Sequence, residues 1–494
     1  MFEGPWKILK FGGTSVGDAA NWPRIAAELR TCIDEGVRPV VVHSAFSKVT
    51  DALEGVLDAR AAGASAREAL TVVEARQHEL ITALGIERPA LVDDELAMLR
   101  DVADASPSAI TCAVRARVLA SGERMATAIS AAWLQAEGLS TRWLDARDLL
   151  TSNADSSAAP DTVKYLAASC DGDRDETLDA RLRAIDADVL VTQGFVVRDP
   201  DGATVVLGRG GSDTSAALLA ARLGARRLEI WTDVPGTFTT NPREVETARL
   251  IQRVSIDEVA TMASLGAKVL HPRSLEPVRE HGIPMDIRWT RHPELGAGTR
   301  ILPDASAVPP GIKAIGVRAH VVVLTMHRPP EWQPVGFMAD IAQRFAEHGV
   351  SMDLLSSSPS TIKATIDVQA FPAGNGELDA LVEDLASVCE VEVDHDAECV
   401  SFVGREASRD VARLANGSST LRPDDIHFIA HAADDSHVTW VVRAGRGAWL
   451  LRIAHRTLFA EPRVDDVFGP MWTAFTRPAA PTRSTVEAQP TVRV

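Results

Sequence analysis

Two glycine-rich turns, each carrying a cationic residue, are the positions of this chain best suited to chemistry. Residues 10–15 (KFGGTS) follow the apolar run 6–9, and residues 208–213 (GRGGSD) follow the apolar run 204–207. Each pattern predicts a strand, a tight turn and then a helix. A helix N-terminus offers free N–H groups and a partial positive charge, and glycine lets the backbone approach an anion closely. With Lys10 and Arg209, the two turns therefore indicate phosphate chemistry.

Two further motifs follow in order, residues 232–236 (TDVPG) and 266–272 (GAKVLHP). Together with the glycine turns they resemble the aspartate kinase family, from about Lys7 to about Arg300 and again in the C-terminal third. The resemblance implies the amino-acid kinase fold, an α/β open and mostly parallel sheet sandwiched by helices, followed by two α+β units of the ACT type. It also implies transfer of the ATP γ-phosphoryl to the side-chain carboxylate of L-aspartate, which gives 4-phospho-L-aspartate for lysine, threonine and methionine biosynthesis.

Composition limits the other classes of function. The chain has 494 residues, of which 46% are hydrophobic and 24% are charged, which favours a soluble globular protein of about three domains. The net charge of −17 argues against a nucleic-acid partner, and no apolar stretch is long enough to cross a membrane. The five cysteines are widely spaced without a C-x-x-C pair, and the histidines lack metal-ligand spacing. We therefore expect a cytoplasmic protein without a signal peptide or a protein-bound metal.

The first three hundred residues alternate strand and helix patterns, as in parallel sheets that are covered on both faces. The strand patterns occupy residues 8–9, 39–42, 189–192, 228–231 and 284–289, and the clearest helical patterns occupy 21–33 and 112–134. Residues 196–206 predict a hairpin whose turn is Asp-Pro-Asp-Gly. Residues 58–107 predict a helical insertion, which either covers the substrate side or forms a packing layer without a role in binding.

A proline-rich stretch at residues 302–311 predicts a linker. Beyond it we predict strands at 321–324, 350–355, 361–368, 400–404, 427–431 and 438–442, with helices at 336–347, 408–414 and 447–458. These form the two ACT-like units, and residues 314–317 complete either the first or the second. The predicted division is 1–308 (catalytic domain), 309–392 and 393–462 (ACT-like units), and 463–494 (a disordered tail or a linker). No G-x-G-x-x-G fingerprint is present, so no fused homoserine dehydrogenase is expected.

The attacking carboxylate of aspartate is already ionised at neutral pH, so the reaction needs cations and N–H groups and requires no general base. Lys10 is the candidate for contacting the phosphoryl group in transit. Asp213 begins the second helix, where an acidic residue commonly caps the N-terminus. The family resemblance gives Asp213 a further catalytic role, which is to hold Lys10 in position.

The substrate is a zwitterion, and two residues are predicted to recognise its two charges. Arg209 suits a carboxylate because its planar guanidinium binds one bidentately. The resemblance assigns the substrate ammonium to Glu123, and it assigns hydroxyls on the substrate and phosphate side to Ser44 and Thr50. Ser212 is placed in the same substrate site.

The resemblance places ATP, with Mg²⁺ held mainly by its phosphates, on a second group of residues. These are Lys10, Gly12, Gly13, Thr14, Thr232, Asp233, Phe238, Arg243 and Lys268. Phe238 stands where the family usually has tyrosine, so it keeps a stacking face and lacks the hydroxyl. His43 replaces a residue that is usually small or apolar, and the sequence offers no physical reason for it.

ACT pairs in this family sense an end-product amino acid, commonly lysine or threonine, and join two copies into a homodimer. The matching effector residues are Phe337, Met338, Met352 and Asp353, with Asp353 facing the ammonium. Pro334 and Pro359 depart from lysine-sensing members and cannot donate a backbone N–H, so the effector and even sensing itself stay open. A kinase of another amino-acid carboxylate and a catalytically idle sensor are the alternative functions, although Glu123, Lys10 and Arg209 disfavour them.

Overall fold

The structure is a computed structural model that describes residues 4–153, 159–266, 270–329, 335–367, 376–415, 422–459 and 466–476. Its N-terminal region contains eleven strands and eleven helices among these residues. The strands are β1 (Trp6–Phe11), β2 (Arg38–His43), β3 (Thr141–Leu144), β4 (Val189–Gln193), β5 (Val196–Arg198), β6 (Thr204–Val206), β7 (Arg227–Thr232), β8 (Arg249–Ile251), β9 (Arg253–Ser255), β10 (Met285–Trp289) and β11 (Ala297–Leu302). The helices are α1 (Gly13–Val16), α2 (Trp22–Asp34), α3 (Val49–Ala61), α4 (Arg67–Leu84), α5 (Ala90–Asp104), α6 (Cys112–Ala136), α7 (Asp161–Leu166), α8 (Glu176–Arg183), α9 (Gly211–Leu223), α10 (Ile256–Ser264) and α11 (Glu276–Glu280).

Eight of these strands form one open sheet in the order β3-β4-β2-β1-β7-β10-β11-β9. All neighbours are parallel except β10 and β11. Each face carries its own apolar core, because side chains alternate along a strand: Ile8 packs on the α9 side, whereas Leu9 and Phe11 pack on the α2 and α6 side. The predicted α/β fold class is confirmed. The predicted hairpin is also present, as the antiparallel pair β5–β6.

The C-terminal region contains the strands β12 (Ala314–His327), β13 (Leu355–Ser357), β14 (Thr361–Asp367), β15 (Glu390–Val403), β16 (Ile426–His431), β17 (His437–Val442) and β18 (Phe468–Met471). Its helices are α12 (Phe337–Glu347), α13 (Gly376–Ala386), α14 (Ala407–Ala415), α15 (Gly447–Phe459) and α16 (Thr473–Thr476). Six strands form an antiparallel sheet in the order β13-β14-β12-β15-β17-β16.

The six-stranded sheet carries two separate apolar cores, which define the first and second C-terminal units. The first core packs α12 and α13 on β12 and β14, and the second packs α14 and α15 on β15 and β17. Both β12 and β15 run through both units. The start of β12 pairs with the end of β15, from Ala314 with Val403 to Val317 with Val400, so residues 314–317 belong to the second unit.

Two sequence-based expectations for this region are wrong. Residues 350–354 do not form a strand. The N–H groups of Asp353 and Leu354 both donate to Thr365, one to its carbonyl and one to its hydroxyl, so regular pairing begins only at Leu355. Residues 470–476 are also ordered, since β18 pairs with β8 and α16 follows it. Among the described residues, no helix has both the length and the apolar character that crossing a membrane requires.

Candidate active site

The first glycine turn lies at the carboxyl end of β1, between the ends of β2 and β7. The Gly12 N–H donates to the Trp231 carbonyl at 3.1 Å, and the Gly13 carbonyl accepts from the Ser47 N–H at 3.2 Å. A Cβ on Gly13 would lie 2.5 Å from the Ala45 carbonyl oxygen, so only glycine fits there. These contacts fix the turn that α1 follows, whose first N–H groups, including that of Thr14, have no acceptor within the helix.

Lys10 and Asp213 meet beside this turn. Lys10 is on the face of β1 that points to α9, and its side chain is 10% exposed. Its Nζ lies 2.6 Å from Oδ1 of Asp213, which is in the first turn of α9. A lysine held in this way keeps a fixed positive charge at the strand end, where phosphoryl groups would meet the glycine turns.

The second glycine turn positions α9. Gly210 is the N-cap of the helix with φ of 68°, and a Cβ there would lie 2.4 Å from Cβ of His271. Arg209 is exposed beside it, and Ser212 is partly buried as the second residue of α9. Arg209 is thus free to reach a ligand over the helix N-terminus, and no ion pair holds it among the described residues.

Glu123 is the most perturbed group near the site. It lies in the middle of α6, is 3% exposed, and its Oε2 has no hydrogen-bond partner among the described residues. Burial raises the pKa of Glu123 to about 8, although the Ala45 N–H and the charge of Lys10 favour the ionised form. A buried carboxylate without a cation is well suited to receive an ammonium group.

The turn after β2 lies against Glu123 and contains the predicted hydroxyls. The Ser44 N–H donates to the Phe11 carbonyl at 3.3 Å, and Thr50 is the second residue of α3. Both residues are partly buried. His43 Nδ1 donates to the Ser44 carbonyl at 2.9 Å, and burial lowers the pKa of His43 to about 4. A neutral His43 therefore holds the backbone of this turn, which supplies the physical reason that the sequence lacked.

The predicted helical insertion, residues 58–107, contains α4 and α5 with the last residues of α3, and it supports α6. Glu95 on α5 is buried and pairs with Arg124 at 2.7 Å and with Arg117 at 2.6 Å, both on α6. Arg124 also pairs with Asp145. Since Arg124 follows Glu123 in sequence, this network holds the helix that presents Glu123.

A cavity of about 250 Å³ opens at the ends of β1, β7 and β10. Its lining includes two predicted nucleotide residues, Thr14 and Asp233. It also includes Arg76 of α4, Thr290 and Arg291, which the sequence analysis did not identify. Arg76 donates to the Gly17 carbonyl at 2.5 Å. The insertion therefore contributes a cation to this edge, and its sequence gave no signal for that because the contact is between distant residues.

The other residues that were predicted to bind the nucleotide differ in their exposure and in their contacts. Thr232 ends β7, and its hydroxyl donates to Asp233 at 3.2 Å. Arg243 is exposed in the segment before β8, and Lys268 lies outside the described residues. Phe238 is a correction: its ring is 8% exposed and packs edge-on against Trp472 and Phe475, so it has no free face for a base.

The predicted effector residues lie in the first C-terminal unit. Phe337 is buried in its core, Met338 is 46% exposed, and Met352 packs partly buried against the same core. The Asp353 carboxylate does not face open space, because Arg318 of β12 pairs with it at 2.9 Å. Arg318 also lies 3.4 Å from Asp367. An effector ammonium at Asp353 would have to share that carboxylate with Arg318 or displace it.

Comparisons with known proteins agree with this architecture. The chain is 29% identical over 458 residues to the lysine-sensitive aspartokinase 3 of Escherichia coli, an alignment that covers 92% of this chain and 99% of that protein. The crystal structure of E. coli aspartokinase III with aspartate and ADP matches with a TM-score of 0.72 at 29% identity, over 92% of this chain and 99% of that one. The complex of the same enzyme with lysine and aspartate matches with a TM-score of 0.70 at 28% identity and the same coverage.

The resemblance to aspartate kinases is thus confirmed over most of the chain. The model of the amino acid kinase family matches residues 5–288, which is the region that holds both glycine turns, Glu123 and most of the cavity lining. The chain belongs to the amino acid kinase family.

Proposed function

We propose that this protein is an aspartate kinase, which transfers the γ-phosphoryl group of ATP to the side-chain carboxylate of L-aspartate. The observation that carries the proposal is the Lys10–Asp213 pair near the buried carboxyl group of Glu123, whose Oε2 has no hydrogen-bond partner among the described residues. That arrangement combines a fixed cation for a phosphoryl group with a receptor for an ammonium group. The E. coli relative has been crystallised with aspartate and ADP.

The chemical step requires charge neutralisation more than proton transfer. The carboxylate that attacks is ionised at neutral pH, so the barrier comes from bringing two anions together and from the charge on the transferring group. Lys10 would contact the phosphoryl oxygens, and Asp213 keeps its Nζ in place at 2.6 Å. The N–H groups at Gly13, Thr14 and the start of α9 would add donors that need no reorganisation during the reaction.

Substrate selection rests on recognition of both charges of the amino acid. Glu123 would receive the ammonium group, and Arg209 would bind the α-carboxylate bidentately. Ser44 in the turn after β2, Thr50 at the start of α3 and Ser212 at the start of α9 would contribute hydroxyls. A substrate without a free ammonium group would leave Glu123 unpaired in a buried site, which disfavours acetylated amino acids.

MgATP would lie over the ends of β1, β7 and β10, with Mg²⁺ held mainly by the phosphates. The cavity at this edge supports the placement, because Thr14, Asp233, Arg76 and Arg291 line it. Thr232, Arg243 and Lys268 remain assigned to the nucleotide from the motifs. Phe238 is left out of the proposed nucleotide contacts, since Trp472 and Phe475 cover its ring.

We also propose feedback control through the C-terminal units, with lysine or threonine as the effector and with Phe337, Met338, Met352 and Asp353 as its contacts. The lysine-bound E. coli structure supports this regulation. A homodimer through these units and a cytoplasmic location are further parts of the proposal. So is the domain division 1–308, 309–392 and 393–462, except that residues 314–317 pair into the second unit.

A hydroxamate assay tests the central claim. The protein is incubated with MgATP and one amino acid, and hydroxylamine traps any acyl phosphate. We expect product with L-aspartate and none with N-acetylglutamate, and Lys10→Ala serves as the background control. Product with N-acetylglutamate alone would overturn the substrate assignment, and no turnover with any amino acid would favour a sensor.

A further inference from the structure

The C-terminal segment, defined as residues 466–476, lies on the N-terminal region of the molecule. β18 pairs with β8 through Phe468 with Ile251 and Met471 with Arg249. On either side of this pair, the Gln252 N–H donates to the Val467 carbonyl at 2.7 Å and the Trp472 N–H donates to the Ala248 carbonyl at 2.8 Å. The segment is therefore attached by backbone hydrogen bonds at its start and at its middle.

Beyond β18, the segment adds two aromatic rings to the edge of the sheet. Trp472 packs edge-on against Phe238 at 5.3 Å between ring centroids, and Phe475 does so at 6.2 Å. Phe475 also packs edge-on against Trp289 at 6.2 Å. Phe238, Trp289, Trp472 and Phe475 form one continuous group, which we call the aromatic cluster.

The aromatic cluster adjoins the edge where the nucleotide is proposed to bind. Trp289 is the register partner of Thr232 in the β10–β7 pair. The next residue, Thr290, lines the cavity that contains Thr14 and Asp233, and its N–H donates to the Thr232 carbonyl at 3.0 Å. A shift of Trp289 would therefore move the backbone that carries the cavity wall.

The same segment also touches the second C-terminal unit. Phe468 packs edge-on against Phe459, the last residue of α15, at 5.4 Å. Beside it, the Thr239 hydroxyl lies 2.9 Å from His455 Nε2. Residues 238–252 are thus held between α15 on one side and the C-terminal segment on the other.

We propose that Trp472 and Phe475 are positioning residues for the nucleotide, which act through Phe238 and Trp289 on the cavity wall at Thr290 and on the Thr232 carbonyl to which Thr290 is bonded. The proposal rests on the placement of MgATP over β7 and β10 given above. Neither ring lines the cavity, and neither contacts the Lys10–Asp213 pair or Glu123 among the described contacts. Their loss should therefore weaken nucleotide binding selectively and leave aspartate binding unchanged.

The test compares steady-state kinetics of the full chain for Phe475→Leu, Trp472→Leu and the conservative Trp472→Phe. The control is Phe345→Leu, which removes a ring from the core of the first C-terminal unit. That ring is more deeply buried than Trp472 or Phe475, so its loss perturbs packing at least as strongly. We expect the two disruptive variants to raise the KM for ATP about five- to tenfold, the scale of a lost aromatic pair, with the KM for aspartate within about twofold. Trp472→Phe should recover most of the ATP affinity, and Phe345→Leu should leave both KM values unchanged.

A parallel variant separates this proposal from the site assignment on which it rests. Asp233→Asn changes the cavity directly, and calorimetry with MgADP reports nucleotide binding without turnover. If Asp233→Asn weakens MgADP binding while Trp472→Leu and Phe475→Leu do not, the positioning role is wrong. If none of the three changes MgADP binding, the placement of the nucleotide is wrong. If the disruptive variants and the control all raise the KM for ATP and the KM for aspartate equally, the aromatic cluster only stabilises the fold. That result would overturn the proposal.

Discussion

Glu123 makes a quantitative prediction about the pH dependence of substrate binding. Its carboxylate is buried with one unpartnered oxygen, and its pKa of about 8 means that the free enzyme holds it mostly protonated at neutral pH. An ammonium group pairs with the ionised form only. Aspartate binding must therefore release a proton from Glu123, and it should become tighter as the pH rises through 8.

The size of the effect follows from the pKa. At pH 7 a group with a pKa of about 8 is about tenfold more protonated than ionised, which costs substrate binding about 1.4 kcal/mol. Between pH 6.5 and pH 8.5 the ionised fraction rises about 25-fold. The KM for aspartate should fall by a similar factor, provided that KM follows the dissociation constant.

The assay measures ADP release at saturating MgATP over this pH range. Calorimetry of aspartate binding at pH 7, in two buffers of different ionisation enthalpy, counts the protons directly and should give about 0.9 per aspartate. The KM for ATP, measured over the same range, corrects for titration of the nucleotide. Glu123→Gln is the control, because it keeps the size of the side chain and cannot ionise.

Two outcomes would refute the reasoning. A KM for aspartate that stays constant from pH 6.5 to 8.5 would mean that Glu123 is already ionised before substrate binds. Proton release that persists in Glu123→Gln would assign the proton to another group. Either result would show that recognition of the ammonium group is not coupled to deprotonation of the buried Glu123.

Four further changes test other parts of the structure. Lys10→Ala should lower kcat by a factor that corresponds to about 3 kcal/mol or more, with a smaller effect on nucleotide binding; a change in the KM for ATP alone would make Lys10 a ground-state phosphate ligand. Arg209→Lys should raise the KM for aspartate, because a point charge cannot replace the bidentate guanidinium, and an unchanged KM would remove Arg209 from the substrate site. Asp353→Ala should abolish inhibition by lysine or threonine, in inhibition curves of the full chain, and leave the uninhibited kcat within about twofold; retained inhibition would place the effector elsewhere. Burial alone would raise the pKa of Asp145, but its arginine partners lower it to about 2, so the stability it adds is present above its unfolded pKa and is lost as the pH falls toward 2. Asp145→Asn should therefore lower Tm at pH 7, and the gap to the unchanged protein should narrow as the pH falls from about 4 to about 2, which thermal unfolding at several pH values would detect.

Sequence patterns predicted the elements whose burial is visible in the chain itself. Runs such as 39–42 and 228–231 are apolar because both faces of the sheet are covered, and they are strands. The glycine turns were also readable, since Gly13 and Gly210 stand where a Cβ would collide with a neighbouring loop. Where the backbone must approach a neighbour closely, the requirement for glycine is visible in the sequence.

Contacts between distant segments could not be predicted from the local sequence. Arg76 reaches the cavity from a helix whose composition resembles any exposed amphipathic helix. Phe238 was predicted to present a free ring, because nothing near it in sequence reveals that Trp472 and Phe475 cover it. Residues 463–494 were predicted to be a disordered tail or a linker, whereas Trp472 and Phe475 order residues 470–476 through Phe238 and Trp289, which lie far earlier in the chain.

The course of β12 and β15 through both C-terminal units determines the order in which this chain is completed during synthesis. In the sequence, the first unit lies between two parts of the second unit. Ala314 can therefore pair only after Val403 has been synthesised. The second core then needs α15, and β8 gains its partner only when residues 468–471 have left the ribosome. Pairing between residues that are distant in sequence costs loop-closure entropy before any stabilising contact forms. A growing chain can thus form its catalytic sheet early, whereas the edge where the nucleotide is proposed to bind is closed by residues that are made after both C-terminal units.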